Sequence, residues 1–284
     1  MRANITVTLL ALVAVLVPLA VSAPTEAQTL RRRYLPLVAR DPATCPSTGQ
    51  GFDAIPTTEV APSLPPNVNP DLNLTVRGWV ANSAPRALVD YSGGTDPLAP
   101  QLYSLFANDR TPSFTSTHAV YDWDWANNRR GPLLSQWPAT LLGMGTTTGE
   151  VIRLPRRAGS DIYQGVYYAL VVYAERTRIS LHYARNDYIA PGYGLHIENV
   201  CVDPSLLALY QQTNAAGRGQ LPGLRNNQPV GTAQGGEILV AVRDTGTFMD
   251  PRSRKDWWAG RAAAAAVVDP RDHTTPHVDH TTPR

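Results

Sequence analysis

The chain has little of what would select a chemistry. Lysine occurs once, as Lys255, among 25 basic residues, and 23 acidic residues leave a net charge of only +2. That balance gives no electrostatic footprint for a nucleic acid or an anionic membrane. The Arg-over-Lys bias in an Ala-rich chain reads as codon composition, with a demand for guanidinium forks as the other reading. Cysteine occurs twice, as Cys45 and Cys201. In an oxidising compartment these form one bridge from an N-terminal arm to the domain core; two free thiols are the alternative. Chain entropy gives so long a loop about 4–5 kcal/mol at most. No serine or cysteine nucleophile stands beside a partner motif. Gly143, Gly145 and Gly149 bracket Thr146-Thr147-Thr148, but no helix follows, so the stretch is a turn and not a phosphate loop.

What is present begins at the N-terminus. Arg2, an apolar run over residues 5–21 and the small-residue exits Val21-Ser22-Ala23 and Thr25-Glu26-Ala27 give residues 1–27 the form of a secretory signal peptide. The run is short for a membrane span and is broken by Pro18. A mature chain with no membrane span, secreted or otherwise extracytoplasmic, follows from this, where disulfides persist and nucleotide cofactors are scarce. Neither cysteine directly follows the leader, which argues against a lipidated N-terminus. The remaining chain, about 255 residues, suffices for one large domain or two small ones.

Residues 28–71 read as an arm and a Pro-rich strap. They hold Arg31-Arg32-Arg33, the apolar run Tyr34-Leu35-Pro36-Leu37-Val38, and Pro56, Pro62, Pro65, Pro66 and Pro70. Residues 72–258 carry short β-branched or aromatic runs separated by Gly, Pro, Asn or Asp. Strands are predicted at 72–80, 86–91, 114–125, 139–142, 150–154, 166–174, 178–183, 193–202, 228–233, 237–243 and 247–249. Many short strands at this spacing indicate a mainly β chain: a single antiparallel sandwich or barrel-like domain with one or two short helices. One helix is well marked: Asp203 caps it, Pro204 opens it, Leu206, Leu207, Leu209 and Tyr210 form its apolar stripe, and Gly217 ends it. A second, short helix is expected near residues 100–106. Residues 259–284, with Asp-His-Thr-Thr-Pro twice, read as a disordered tail. The tail histidines His273, His277 and His280 read as incidental.

Three constellations bear on function. In Tyr121-Asp122-Trp123-Asp124-Trp125, strand alternation puts three aromatics on one face and two carboxylates on the other. Such aromatics fill a core or stack on sugar rings. The carboxylates point the same way about 6–7 Å apart, which does not flank a glycosidic bond. Trp257 and Trp258 follow a basic run and either close the core or contact a glycan. Finally, His196 and Glu198 share a strand face in Gly192-Tyr193-Gly194-Leu195-His196-Ile197-Glu198, ahead of Asp203-Pro204. His182 and Asp187 bracket a nearby turn and would matter only if set against His196.

That last segment resembles the final motif of the lysostaphin-type zinc endopeptidases of bacterial cell walls, which carry Gly-Pro-His-Leu-His-Phe-Glu before a strand and Asp-Pro. The resemblance implies His196 as a zinc ligand and puts Gly194 where the family has its water-assisting histidine. The family's upstream His-x-x-x-Asp is matched by His118-Ala119-Val120-Tyr121-Asp122, implying His118 and Asp122 as the other ligands, with Val120 in place of a glycine. On a straight strand those two lie about 13 Å apart. A second stretch, Leu224 to Gly231 followed by Gly236 to Pro251, has the family's strand-turn-Asp-Pro shape without a histidine. Taken on its residues alone, His196 reads as a satisfied sheet histidine.

The sequence therefore predicts a secreted or envelope-associated, non-catalytic β protein without a cofactor. Its partner would be a cell-wall glycan, peptidoglycan or another surface protein, met through Tyr121, Trp123, Trp125, Trp257 and Trp258. The alternatives are a zinc endopeptidase acting on cell-wall peptides through His118, Asp122 and His196, and a purely structural surface protein.

Overall fold

The computed structural model describes residues 45–58, 64–158, 162, 166–184 and 191–261. The leader at 1–27, most of the arm, Asp187 and nearly all of the C-terminal tail lie outside the described residues. No helix among those described is long and apolar enough to cross a membrane.

The fold is mainly β. The strap already supplies β1 (Asp53–Pro56), so the sheet begins earlier in the chain than residue 72. Residues 72–80 depart from the predicted strand. Asn73 accepts a hydrogen bond from Thr75 N and caps the single helical turn α1 (Leu74–Arg77). Gly78, at φ 72°, then turns the chain into β2 (Trp79–Ala81). Capping chemistry overrides the apolar alternation here. The predicted strand at 86–91 reduces to one bridge between Val89 and Ser253. The short helix expected near residues 100–106 is present as a 3-10 helix over Leu102–Leu105.

β3 (Phe114–Asp124), β4 (Arg129–Leu133), β5 (Leu141–Gly145), β6 (Val151–Arg153), β7 (Ala169–Glu175) and β8 (Arg178–His182) follow. The run predicted as one strand at 193–202 is two. Asn199 adopts φ 61° and separates β9 (Tyr193–Glu198) from β10 (Val200–Val202), which join different sheets. After β10 come α2 (Pro204–Ala215), β11 (Gln220–Leu224), β12 (Pro229–Ala233), β13 (Glu237–Asp244), β14 (Thr247–Phe248) and the single turn α3 (Arg254–Trp257). The helical segments thus exceed the one or two expected.

Eleven strands form one antiparallel sheet. Its main path runs β1-β11-β7-β8-β9-β13-β5-β3-β2, with β14 on β13 and β4 on β3. The ends of this path do not pair, so the sheet is not a closed barrel. β10, β12 and β6 make a second sheet. The central strand β13 shows how the core divides. Ile238, Val240 and Val242 enter the larger apolar cluster, with Leu142, Leu195 and Ile197. The alternate residues Leu239 and Ala241 enter a smaller cluster with Leu74, Val120, Leu141 and Phe248. Both faces are covered, which is why β13 reads as an almost unbroken apolar run.

Cys45 and Cys201 form a disulfide with Cα atoms 5.2 Å apart, tying the strap to β10. Trp257 and Trp258, two of the five predicted contact residues, are only 2% and 0% exposed. Their indole N–H groups donate to Asp250 O at 2.9 Å and Pro251 O at 2.8 Å. Trp257 packs edge-on to Tyr193, and Trp258 leans on Phe114. They close the core and present no binding face.

Candidate functional site

The remaining three aromatics share one hairpin. The first part of β3 pairs with β5 through residues 114–118 and with β2 through residues 118–120. Beyond Val120 the ladder passes to β4, with Tyr121 opposite Leu133, Trp123 opposite Arg130 and Asp124 opposite Arg129. Asn128, at φ 47°, closes the turn, a conformation asparagine tolerates better than most residues. A register shift between Tyr121 and Trp123 twists the strand, so the strict alternation read from sequence fails there.

Trp125 is 52% exposed at the end of this hairpin, and Leu133 on the facing strand is 40% exposed. Tyr121 and Trp123 are half-buried. The Trp123 indole N–H is buried without a hydrogen-bond partner. Arg130 lies over the Tyr121 ring, 5.0 Å from its centroid, and donates to Val76 O. The two carboxylates are engaged locally. Asp122 accepts from Trp123 N at 2.8 Å and faces Arg77 at 3.4 Å. Asp124 accepts from Asn127 at 2.7 Å and Arg129 at 3.2 Å. The bonds from Asn127, then those from Arg129, hold the Asp124 carboxyl below its ordinary range.

The predicted metal ligands are not brought together. His118 on β3 sits opposite Leu141 of β5, while His196 on β9 sits opposite Ala241 of β13. Two strands intervene, placing the histidines about 14 Å apart across the sheet. Among the described residues no group of three or more His, Cys, Asp or Glu side chains converges to hold a metal.

His196 is wholly buried, with Nδ1 2.8 Å from Ser180 Oγ and its ring stacked on Phe248. Ser180 Oγ also donates to Leu72 O at 2.6 Å. The Nε2 atom has no partner. Burial, followed by the Arg243 charge, pushes the imidazole pKa down to about 3; Asp71 opposes this and Arg77 adds to it. A free imidazole nitrogen suits a cation. Two guanidiniums beside it do not, and the residues present do not fit a zinc site.

Sequence reasoning missed this charged cluster. Asp71 bridges Arg77 at 2.9 Å and Arg243 at 2.7 Å, and both guanidiniums also lie against the Phe248 ring. Nothing in strand periodicity signals it, because its members come from α1, β13 and the segment before α1. No family model, curated protein or solved structure matches this chain.

Proposed function

We propose that the chain is a non-catalytic, extracytoplasmic binding protein whose β3–β4 hairpin takes a glycan. The observation that carries this reading is the exposure of Trp125 in the turn of a hairpin that also carries the half-buried Tyr121 and Trp123 and the exposed Leu133. A tryptophan half exposed in a hairpin turn contributes little to the core. It offers a flat apolar face to the C–H side of a sugar ring. Asn127 and Arg129, in and next to the same turn, supply hydrogen-bonding groups for hydroxyls. The Cys45–Cys201 bridge supports an oxidising location. Nothing in the geometry favours the zinc endopeptidase alternative.

Titration calorimetry of the folded protein with soluble uncharged cell-wall oligosaccharides tests the proposal. Saturable binding is expected, weakened at least about tenfold in Trp125→Ala, with the unfolding temperature little changed because the side chain is 52% exposed. No heat, or equal affinity in Trp125→Ala, overturns it. Capture of a protein partner that Trp125→Ala abolishes, without oligosaccharide binding, would replace the glycan with a protein.

A further inference from the structure

We infer that the hairpin turn is one end of a longer platform, and that its ligand is a linear glycan of several sugar units lying along β3. The inference rests on the glycan reading of Trp125 and adds the class of glycan: a chain held along its length.

The platform follows from register. Val80 on β2 stands opposite Ala119 on β3, and Leu133 on β4 stands opposite Tyr121. Ala119 and Tyr121 are two residues apart on one strand, so these four side chains share a face of the sheet. Val80 is 42% exposed and Leu133 is 40% exposed, while Ala119 and Tyr121 between them are half-buried. With Trp125, three of the six exposed large hydrophobic residues among those described belong to this one corner of the sheet. Grouping of that kind marks a contact surface, where scattered single residues would not.

The strip has a defined extent. Thr117 is next on the same face, and its Oγ1 lies 3.3 Å from Asn82 O and 3.2 Å from Ala84 O. The chain leaving β2 therefore closes over that end. The open surface begins at Val80 and Ala119 and runs toward the hairpin turn. From Ala119 to Trp125 the chain advances by at most roughly 20 Å. Such a length accommodates several linked sugar rings and is far more than one requires.

The mixture of side chains selects the occupant. Sugar rings offer C–H faces to apolar groups and a rim of hydroxyls to polar ones. Val80 and Leu133 supply apolar contacts on either side of Tyr121. Arg130, exposed on β4, lies over the Tyr121 ring and keeps donors to spare beyond its bond to Val76 O. A guanidinium in the middle of the strip interrupts the dry core that a protein partner would need. An added strand is opposed as well: Gly131 and Pro132 interrupt β4, and β2 offers only three residues.

The test is calorimetric titration of the intact protein with N-acetylglucosamine oligomers of two, four and six units. Affinity is expected to rise more than about tenfold from dimer to hexamer, because the longer chain covers the strip as well as Trp125. A longer chain also offers Trp125 alone more registers, but that statistical gain is only a few-fold. Val80→Ser and Leu133→Ser, both at exposed positions, should each remove most of the gain while leaving dimer affinity and the unfolding temperature little changed. Equal affinity for dimer and hexamer, or a hexamer weakened by neither substitution, overturns the platform. In that outcome, binding that Trp125→Ala still weakens keeps the hairpin turn as a glycan site of one or two units. If no oligomer binds, the glycan reading and the platform fall together.

Discussion

His196 faces Arg243 and Arg77 from the same layer of side chains, with Asp71 between the two guanidiniums and Ser180 behind the ring. Protonating the imidazole would put a third positive charge beside Asp71 in a dry interior, with the only other carboxylate of the cluster, Asp122, reaching Arg77 from its exposed side. The native ring therefore refuses a proton until about pH 3, whereas the unfolded chain takes one up near 6.5. Between those values the unfolded state binds more protons, so stability rises with pH. The contribution is complete above about pH 6.5 and is lost as pH falls toward 3, at up to about 1.4 kcal/mol per pH unit. Denaturant midpoints measured from about pH 8 to pH 4 should fall less steeply in His196→Gln than in the parent protein. Parallel curves would show that the imidazole is not the group being titrated. Half of the sequence reading of this residue holds: Nδ1 is satisfied, as in an ordinary sheet histidine, while Nε2 is not.

At the scale of elements, α2 is held at its N-terminus by one side chain with two duties. Asp203 Oδ1 accepts from Ser205 N at 2.8 Å and Leu206 N at 3.4 Å, capping the helix. Its Oδ2 accepts from Thr48 N at 2.5 Å and Thr48 Oγ1 at 2.7 Å, fastening the strap. Loss of the cap alone costs about 0.5–2 kcal/mol, and the bonds from Thr48 add to it. Asp203→Ala is expected to destabilise by about 2–4 kcal/mol in urea unfolding, with Asn recovering part of the loss because it keeps a capping oxygen. A change below about 0.5 kcal/mol would mean the strap holds by other contacts. This helix was legible because its signals are local: Asp203, Pro204 and Gly217 lie in fixed positions relative to one stripe. β3, β8, β12 and β13 were legible from β-branched runs. β1, β4 and β11 were not. Their residues, Asp53-Ala54-Ile55-Pro56, Arg129-Arg130-Gly131-Pro132-Leu133 and Gln220-Leu221-Pro222-Gly223-Leu224, carry Pro or Gly and pair only because a neighbouring strand presents an edge. The hairpin aromatics were visible as a candidate surface, but which would face water depended on the register shift after Tyr121. The fate of Trp257 and Trp258 depended on packing against Tyr193 and Phe114, far away in sequence.

Over the whole molecule, the strap acts as a clasp across the sheet's β11 edge. β1 pairs with β11 from Asp53 opposite Gly223 to Pro56 opposite Gln220, and the disulfide fastens the start of the strap 156 residues away in sequence. Without the strap, β11 would offer an open backbone edge carrying Leu221 and Leu224, the kind of surface that templates aggregation. The bridge acts in two ways that hydrogen exchange can separate. By restricting the unfolded chain it raises the free energy of global opening by up to about 5 kcal/mol, which protects every globally exchanging amide equally. By anchoring the strap it also opposes local fraying at β11. Replacing both cysteines with serine should lower the urea midpoint and reduce protection in β13 and β11 alike, with β11 losing more. Equal losses in the two strands would leave the bridge with only its chain-entropy role, and an unchanged midpoint would remove that role too. The expected order, β11 first and β13 last, follows from position: β11 is covered on its outer side by four strap residues, whereas β13 is flanked by β9 and β5 and buried on both faces.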